Sequence, residues 1–124
     1  MRVVLAALLL LATTPAWAEW VRLDADQVRV VRIDPATMLT DSNLRRVWQM
    51  QDRKAPTPNG ERSLRSQVEF DCKELRWRAL SLFTYSGPKL TGTAIVGETP
   101  APGEWSAVVT GTLAETMLGH VCSQ

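Results

Sequence analysis

Leu64-Arg65-Ser66-Gln67-Val68-Glu69-Phe70-Asp71-Cys72, followed after Lys73-Glu74 by Leu75-Arg76-Trp77-Arg78-Ala79-Leu80-Ser81-Leu82-Phe83-Thr84-Tyr85, decides the fold. In the first run every even position is Leu, Ser, Val, Phe or Cys, and every odd one is charged or polar. That is the period of two of a strand with one buried face. In the second run the odd positions are Leu75, Trp77, Ala79, Ser81, Phe83 and Tyr85. Folded as a hairpin about Lys73-Glu74, the two runs set Cys72 opposite Leu75, Phe70 opposite Trp77, Val68 opposite Ala79 and Leu64 opposite Phe83. On the reverse face Asp71 meets Arg76 and Glu69 meets Arg78, opposite charges worth about 0.5 kcal/mol a pair. A register one residue off mixes apolar with charged positions and loses both pairs. Lys-Glu makes a poor two-residue turn, so a four-residue loop on the same register is the alternative. Leu80 and Leu82 fall on the charged face, which predicts that its far end is covered as well.

Outward from this hairpin, the chain continues as β structure. Trp20 to Asp24 and Gln27 to Ile33 read as short strands, and Asp34-Pro35-Ala36-Thr37-Met38 as a turn, because Pro35 fixes its own φ and drives Asp34 out of the helical region. Leu44 to Asp52 reads as a strand with Leu44, Trp48 and Met50 on one face and Arg45, Val47, Gln49 and Gln51 on the other. The Pro- and Gly-containing stretch 55–60 is a loop. Ser86 to Lys89 turns the chain into a strand over 90–96, a Pro-rich loop spans 97–103, and Trp105 to Val109 forms a last short strand. Thr112 with Glu115 is a capping box. It opens a helix from Leu113 to about Val121 that aligns Leu113, Ala114, Met117, Leu118, Val121 and Cys122. At about ten residues such a helix is marginal alone and needs a surface to lie on.

The start of the chain carries the three parts of a secretory signal. Met1-Arg2 is the positive region, Val3 to Ala12 the apolar one, and Ala16-Trp17-Ala18 the cleavage site, so residues 1–18 are expected to be a cleaved signal peptide and 19–124 a single domain. The apolar run is too short to span a bilayer, and no membrane insertion is expected after cleavage. Cys72 and Cys122 are the only cysteines. In an exported chain such a pair reads as a structural disulfide. Here it would tie the helix end to the apolar face of the hairpin. The loop of about 50 residues it closes constrains the unfolded chain by about 4 kcal/mol. No Cys follows the cleavage point to take a lipid, so the sequence favours the periplasm over the cell surface.

Removing Arg2 with the leader leaves 13 basic side chains against 13 acidic ones. That balance argues against a nucleic-acid binder. No motif points to catalysis, a cofactor or a metal. His120, the only His, has no nucleophile partnered to it; Asp71, Glu69, Asp52 and Glu61 are the carboxylates that could pair for acid–base work, but Asp71 and Glu69 already have arginine partners in the hairpin. The one basic concentration is Arg45, Arg46, Arg53, Lys54, Arg62 and Arg65, a candidate surface for an acidic partner. Among the mature tryptophans, Trp77 and Trp48 read as core, while Trp20 and Trp105 are candidate anchors or packing residues.

Trp20-Val21, the Asp34-Pro35-Ala36-Thr37 turn, Val47-Trp48, the run Val68 to Glu74, Tyr85-Ser86-Gly87 and the closing Glu115-Thr116 with Cys122 together resemble the surface-adhesin protein E family. The resemblance runs in order through nearly the whole mature chain. It implies an α+β fold: a bent antiparallel sheet of about six strands with a C-terminal helix tied on by a disulfide. It also implies a non-enzymatic binding protein whose partners are host matrix or serum proteins or an envelope protein, and a homodimer. The alternative for a small disulfide-bonded β domain of this kind is a soluble periplasmic inhibitor or chaperone-like envelope factor.

Overall fold

The structure, a computed structural model, describes residues 19–95 and 102–123. The expected signal peptide lies outside the described residues, as does most of the Pro-rich loop. Strands β1 (Val21–Ala25), β2 (Arg29–Asp41), β3 (Leu44–Arg53), β4 (Ser63–Asp71), β5 (Arg76–Tyr85), β6 (Ala94–Ile95) and β7 (Ser106–Ala107) precede one helix, α1 (Leu113–Cys122). They form one antiparallel sheet in the order β1-β2-β3-β4-β5-β6, with β7 pairing the other stretch of the β5 edge. Seven strands thus stand where about six were expected. The two extra-short ones hold two residues each. No helix among the described residues is long and apolar enough to cross a membrane.

The helix lies where the strand pattern requires it. Val31, Ile33, Val47, Val68 and Phe70 from the sheet and Met117, Leu118 and Val121 from α1 form one buried cluster. Each such side chain contributes about 1.5–3 kcal/mol by leaving water. Thr112 caps the helix, its hydroxyl accepting from the Glu115 N–H. Cys72 and Cys122 are joined, with Cα atoms 5.7 Å apart. The bond anchors the last residue of α1 beside the β4–β5 loop, so a marginal helix is held at its far end covalently and along its length by packing.

The β4–β5 pairing follows the sequence pattern from the loop as far as Val68↔Ala79, with Phe70↔Trp77, Glu69↔Arg78 and Asp71↔Arg76. The loop is the four-residue one, Cys72 to Leu75, and Leu75 takes a positive φ of 52° there. Beyond Val68 the expected register fails. Gln67 pairs with Ser81, so Leu80 is an extra residue, and Leu64 stands opposite Thr84 while Phe83 stands opposite Arg65. This β-bulge reverses which side chains of β5 face the helix. It explains the apparent misplacement of Leu82, which shares its face with Ser66 and, one strand further, Gln49. Side chains repair the disturbed ladder: the Ser66 hydroxyl donates to the Ser81 carbonyl at 2.6 Å, and the Ser81 hydroxyl accepts from Gln67 N–H at 3.3 Å.

Four further expectations are corrected. The Asp34–Met38 turn does not end its strand. Asp34 pairs with Trp48 and Leu39 with Arg46, so the intervening residues bulge out opposite Val47 and β2 resumes. The Asp34 carboxylate accepts from Ala36 N–H, and the Thr37 hydroxyl both donates to the Asp34 carbonyl and accepts from Trp48 N–H. Side-chain oxygens thus supply what Pro35 and the bulge take from the ladder. In β3 the helix-facing residue is Val47, fully buried, while Trp48 lies on the opposite face and is only partly covered. The strand expected over 90–96 shrinks to Ala94–Ile95, because Pro88–Leu90 forms a single 3-10 turn. Likewise Trp105 precedes β7 rather than opening it.

Candidate functional site

Cross-strand partners share a face, so the ladder itself lays out the side of the sheet opposite α1. Arg46, Glu69 and Arg78 form one row across β3, β4 and β5, and Leu44, Asp71 and Arg76 the row beside it. Glu69 is fully buried. Its two carboxylate oxygens are taken by different arginines: Arg46 Nε at 2.5 Å and Arg78 Nη2 at 2.7 Å. Burial pushes the Glu69 carboxyl up, but the hydrogen bonds and charges of Arg46 and Arg78 outweigh it, and the net shift is below the usual range. Asp71 is also held low, first by the Glu74 N–H, against burial, and then by Arg76 and the Lys73 N–H. Both carboxylates are therefore committed to arginines and to turn backbone, which leaves no acid–base pair among them.

Two aromatic clusters stand on this charged face. Trp105, delivered by the segment that runs along β5 through the Gly103 N–H to Ala79 carbonyl bond, has its ring centroid 4.4 Å from the guanidinium carbons of both Arg76 and Arg78. Arg76 and Arg78 are two apart in a strand and so point the same way. Glu69 and Asp71 hold the two arginines from one side while the indole packs on them. Toward the other end, the Arg65 guanidinium lies 4.9 Å from both the Trp48 and Phe83 ring centroids. The two rings are themselves stacked at 6.3 Å. Trp20, Asp34, Thr37, Trp48 and Arg65 line a recess of about 210 Å³ beside this cluster.

The structure distributes the six basic candidates along this architecture. Arg45 and Arg46 open β3, and Arg45 donates to the carbonyls of Ser42 and Leu44. Arg53 closes β3, about 25 Å of strand away from Arg45 and Arg46. Arg62 is tied to Arg53 by two bonds, from its Nε to the Arg53 carbonyl and from Arg53 N–H to its own carbonyl, both 2.8 Å, and Lys54 adjoins them. Arg65 lies between the two ends, against Trp48 and Phe83. The candidates are thus three groupings, not one. Asp52 sits 3.5 Å from Arg32 and accepts from the Lys89 N–H. His120 is in the last turn of α1. Among the described residues no group of three His, Cys, Asp or Glu is placed to hold a metal. The Trp105 and Arg65 arrangements were not legible beforehand. The signal available was Arg at 76 and 78 on one strand face, and the Leu80 bulge hid the partnership of Phe83 with Arg65.

Residues 20–123 match the surface-adhesin protein E family. The chain belongs to that family. The fold, an antiparallel sheet with a C-terminal helix, is shared with solved structures. Crystal form II of Haemophilus influenzae protein E superposes with a TM-score of 0.59 at 12% identity, covering 82% of this chain and 91% of that one. Protein E from non-typeable Haemophilus influenzae gives 0.59 at 14% identity, covering 89% and 79%. Identities this low speak for the fold alone. No curated protein sequence matches the chain. Membership makes this a surface-adhesin-like protein of an exported family of adhesins, not of enzymes.

Proposed function

We propose that the mature chain is an exported, non-catalytic interaction protein that engages another protein through the face of its sheet opposite α1. The observation that carries this reading is the pairing on that face of buried carboxylates with arginines that also hold aromatic rings: Glu69 and Asp71 with Arg76, Arg78 and Trp105. Arginine and tryptophan dominate the energetically important positions of protein interfaces. Side chains already fixed in place lose little entropy on binding. Arg46 and Arg76 keep 45% and 40% of their side-chain surface exposed while paired, so a partner's carboxylates can still reach them. The partner is accordingly a protein with an acidic or carbonyl-rich surface, from the host matrix or the cell envelope, and the chain meets it after export to the periplasm or beyond.

Immobilised mature domain, presented with matrix proteins and envelope extract, tests this beside a Trp105→Ala/Arg65→Ala variant of equal stability. The wild type retains a partner with at least tenfold higher affinity than the variant. Equal retention by both, or no retention by either, sinks the reading. Protease shaving of intact cells gives the location: protection until the outer membrane is opened is the expected outcome.

A further inference from the structure

The recess between Trp20 and Trp48 is lined by two charged groups, Asp34 and Arg65, that make no ion pair with each other. The register puts both on the face opposite α1: Asp34 stands opposite Trp48, and Arg65 opposite Met50, two residues further along β3. Every other arginine that β2 to β5 carry on this face has a carboxylate partner. Arg32 has Asp52, Arg46 and Arg78 share Glu69, and Arg76 has Asp71. Arg65 has none among the described residues. The Trp48 and Phe83 rings hold its guanidinium in place and close off Nε, while Nη1 and Nη2, equally without a protein partner, keep accessible surface. Asp34 is 6% exposed. Its Oδ1 accepts from Ala36 N–H, and its Oδ2 keeps accessible surface and has no partner among the described residues. Thr37, the remaining polar wall, is occupied by the Asp34 carbonyl and the Trp48 N–H.

An ionised carboxylate offers about four acceptor sites, and burying one beside a single donor is costly. The recess, at about 210 Å³, is smaller than drug-sized sites and has room for one small molecule. An anion alone would face the Asp34 carboxylate, and a cation alone the Arg65 guanidinium. We infer that the recess binds a free α-amino acid as its zwitterion. The carboxylate forks onto Arg65 Nη1 and Nη2, and the ammonium donates to Asp34 Oδ2 beside Trp20. The two guanidinium nitrogens are spaced like carboxylate oxygens, so one ligand group engages both. Two hydrogen bonds of about 2.8 Å, with the ~3 Å between the charged groups of an α-amino acid, span about 5–8 Å. That span suits two groups on one small recess that lie too far apart to pair directly. Indole surface favours the ammonium as well. The site shares Arg65 with the protein-binding face proposed above but needs no protein partner.

The test uses the full mature protein and three matched probes: L-leucine, isocaproate, which lacks its ammonium, and isoamylamine, which lacks its carboxylate. Titration followed by NMR gives saturable shifts of the Trp20 and Trp48 indole N–H signals with leucine, which binds at least tenfold more tightly than either analogue. Asp34→Asn keeps an oxygen for the Ala36 N–H, so the fold is retained, yet it abolishes the preference for leucine over isocaproate. Arg65→Lys keeps the charge but loses the fork, and it weakens leucine at least tenfold. Isocaproate bound as tightly as leucine makes this a plain carboxylate site and overturns the inference. So does the absence of saturable leucine shifts at Trp20 and Trp48, or undiminished leucine binding in either variant. Asp34→Asn leaves Trp105 and Arg65 in place, so its capture of a protein partner is unchanged, and failure here is read apart from failure of protein binding.

Discussion

Glu69 and Arg78 face one another across the β4–β5 ladder, and the fully buried carboxylate meets the guanidinium at 2.7 Å. Arg46 approaches the same carboxylate from β3. A charge buried between two partners is destabilising chiefly when one side is removed. Glu69→Gln leaves two arginines crowded without a counter-charge. The half-exposure of Arg46 lets water screen part of that, so the expected loss is about 2 kcal/mol, below the ~3–5 kcal/mol of a fully buried broken pair. Urea denaturation at neutral pH measures it.

The same pair sets a pH dependence. A carboxyl whose folded value lies below its unfolded one binds fewer protons folded than unfolded. Its stabilisation is then complete above the unfolded value and disappears as pH falls through the folded one. Glu69 is lowered from an ordinary 4.5 and Asp71 from 3.8. Stability should therefore be flat through neutral pH and fall progressively below about pH 4.5. In Glu69→Gln that fall is shallower. Urea midpoints at intervals from pH 6 to pH 2.5 check this, and parallel curves for wild type and variant would remove Glu69 from the explanation.

The disulfide joins residues 50 apart in sequence. In the loop-entropy account, removing it with Cys72→Ala/Cys122→Ala frees the unfolded chain by about 4 kcal/mol. The packing of Met117, Leu118 and Val121 survives the change, so the variant should still fold cooperatively but with a much lower urea midpoint. A loss under about 1 kcal/mol would mean that the helix is held by its apolar face alone.

Gly92 and Gly60 both have positive φ, at 78° and 81°, yet they differ in surroundings. A Cβ on Gly92 would come within 2.9 Å of the Gly87 backbone nitrogen, while one on Gly60 meets nothing within 4 Å. Gly60→Ala pays only the left-handed backbone strain, about 1 kcal/mol. Gly92→Ala adds a backbone collision and should cost about 3 kcal/mol. Thermal melts of the two variants side by side separate strain from collision.

Where local alternation and charge agreed, the sequence was a good guide: from Asp71 back to Val68 every cross-strand pair is as the pattern requires, while Cys72 and Leu75, expected as a pair, lie in the loop. The helix and its covering of that face followed from the capping residues and the spacing of Met117, Leu118 and Val121. The pattern misled where one strand carries residues the other does not. A bulge leaves composition unchanged and shifts only the count, so Leu80 looked like an apolar residue on a charged face, and Pro35 like the end of a strand. Trp48, grouped with Leu44 and Met50 and read as core, lies by strand parity on the face opposite α1, beside Arg65.

The Leu80 bulge makes a last expectation that runs against intuition. Deleting a residue from the middle of a strand ordinarily turns every later side chain to the wrong face. Here Ala79 already pairs with Val68 and Ser81 with Gln67, which are neighbours on β4. Removing Leu80 therefore brings the two halves of β5 into an unbroken ladder with all their present partners kept. The cost is the partly buried leucine and the local twist, about 1–2 kcal/mol. Removing Leu82 instead, which stands opposite Ser66, throws Phe83 to Tyr85 out of register. It takes with it the bond from Arg62 N–H to the Tyr85 carbonyl and the placement of Phe83 on Arg65. That deletion should cost more than about 3 kcal/mol or prevent folding. Urea denaturation of both variants, with hydrogen exchange at Gln67 and Arg62, separates the cases. A Leu80 deletion as damaging as the Leu82 one would show that the bulge is needed to form the sheet rather than merely accommodated by it.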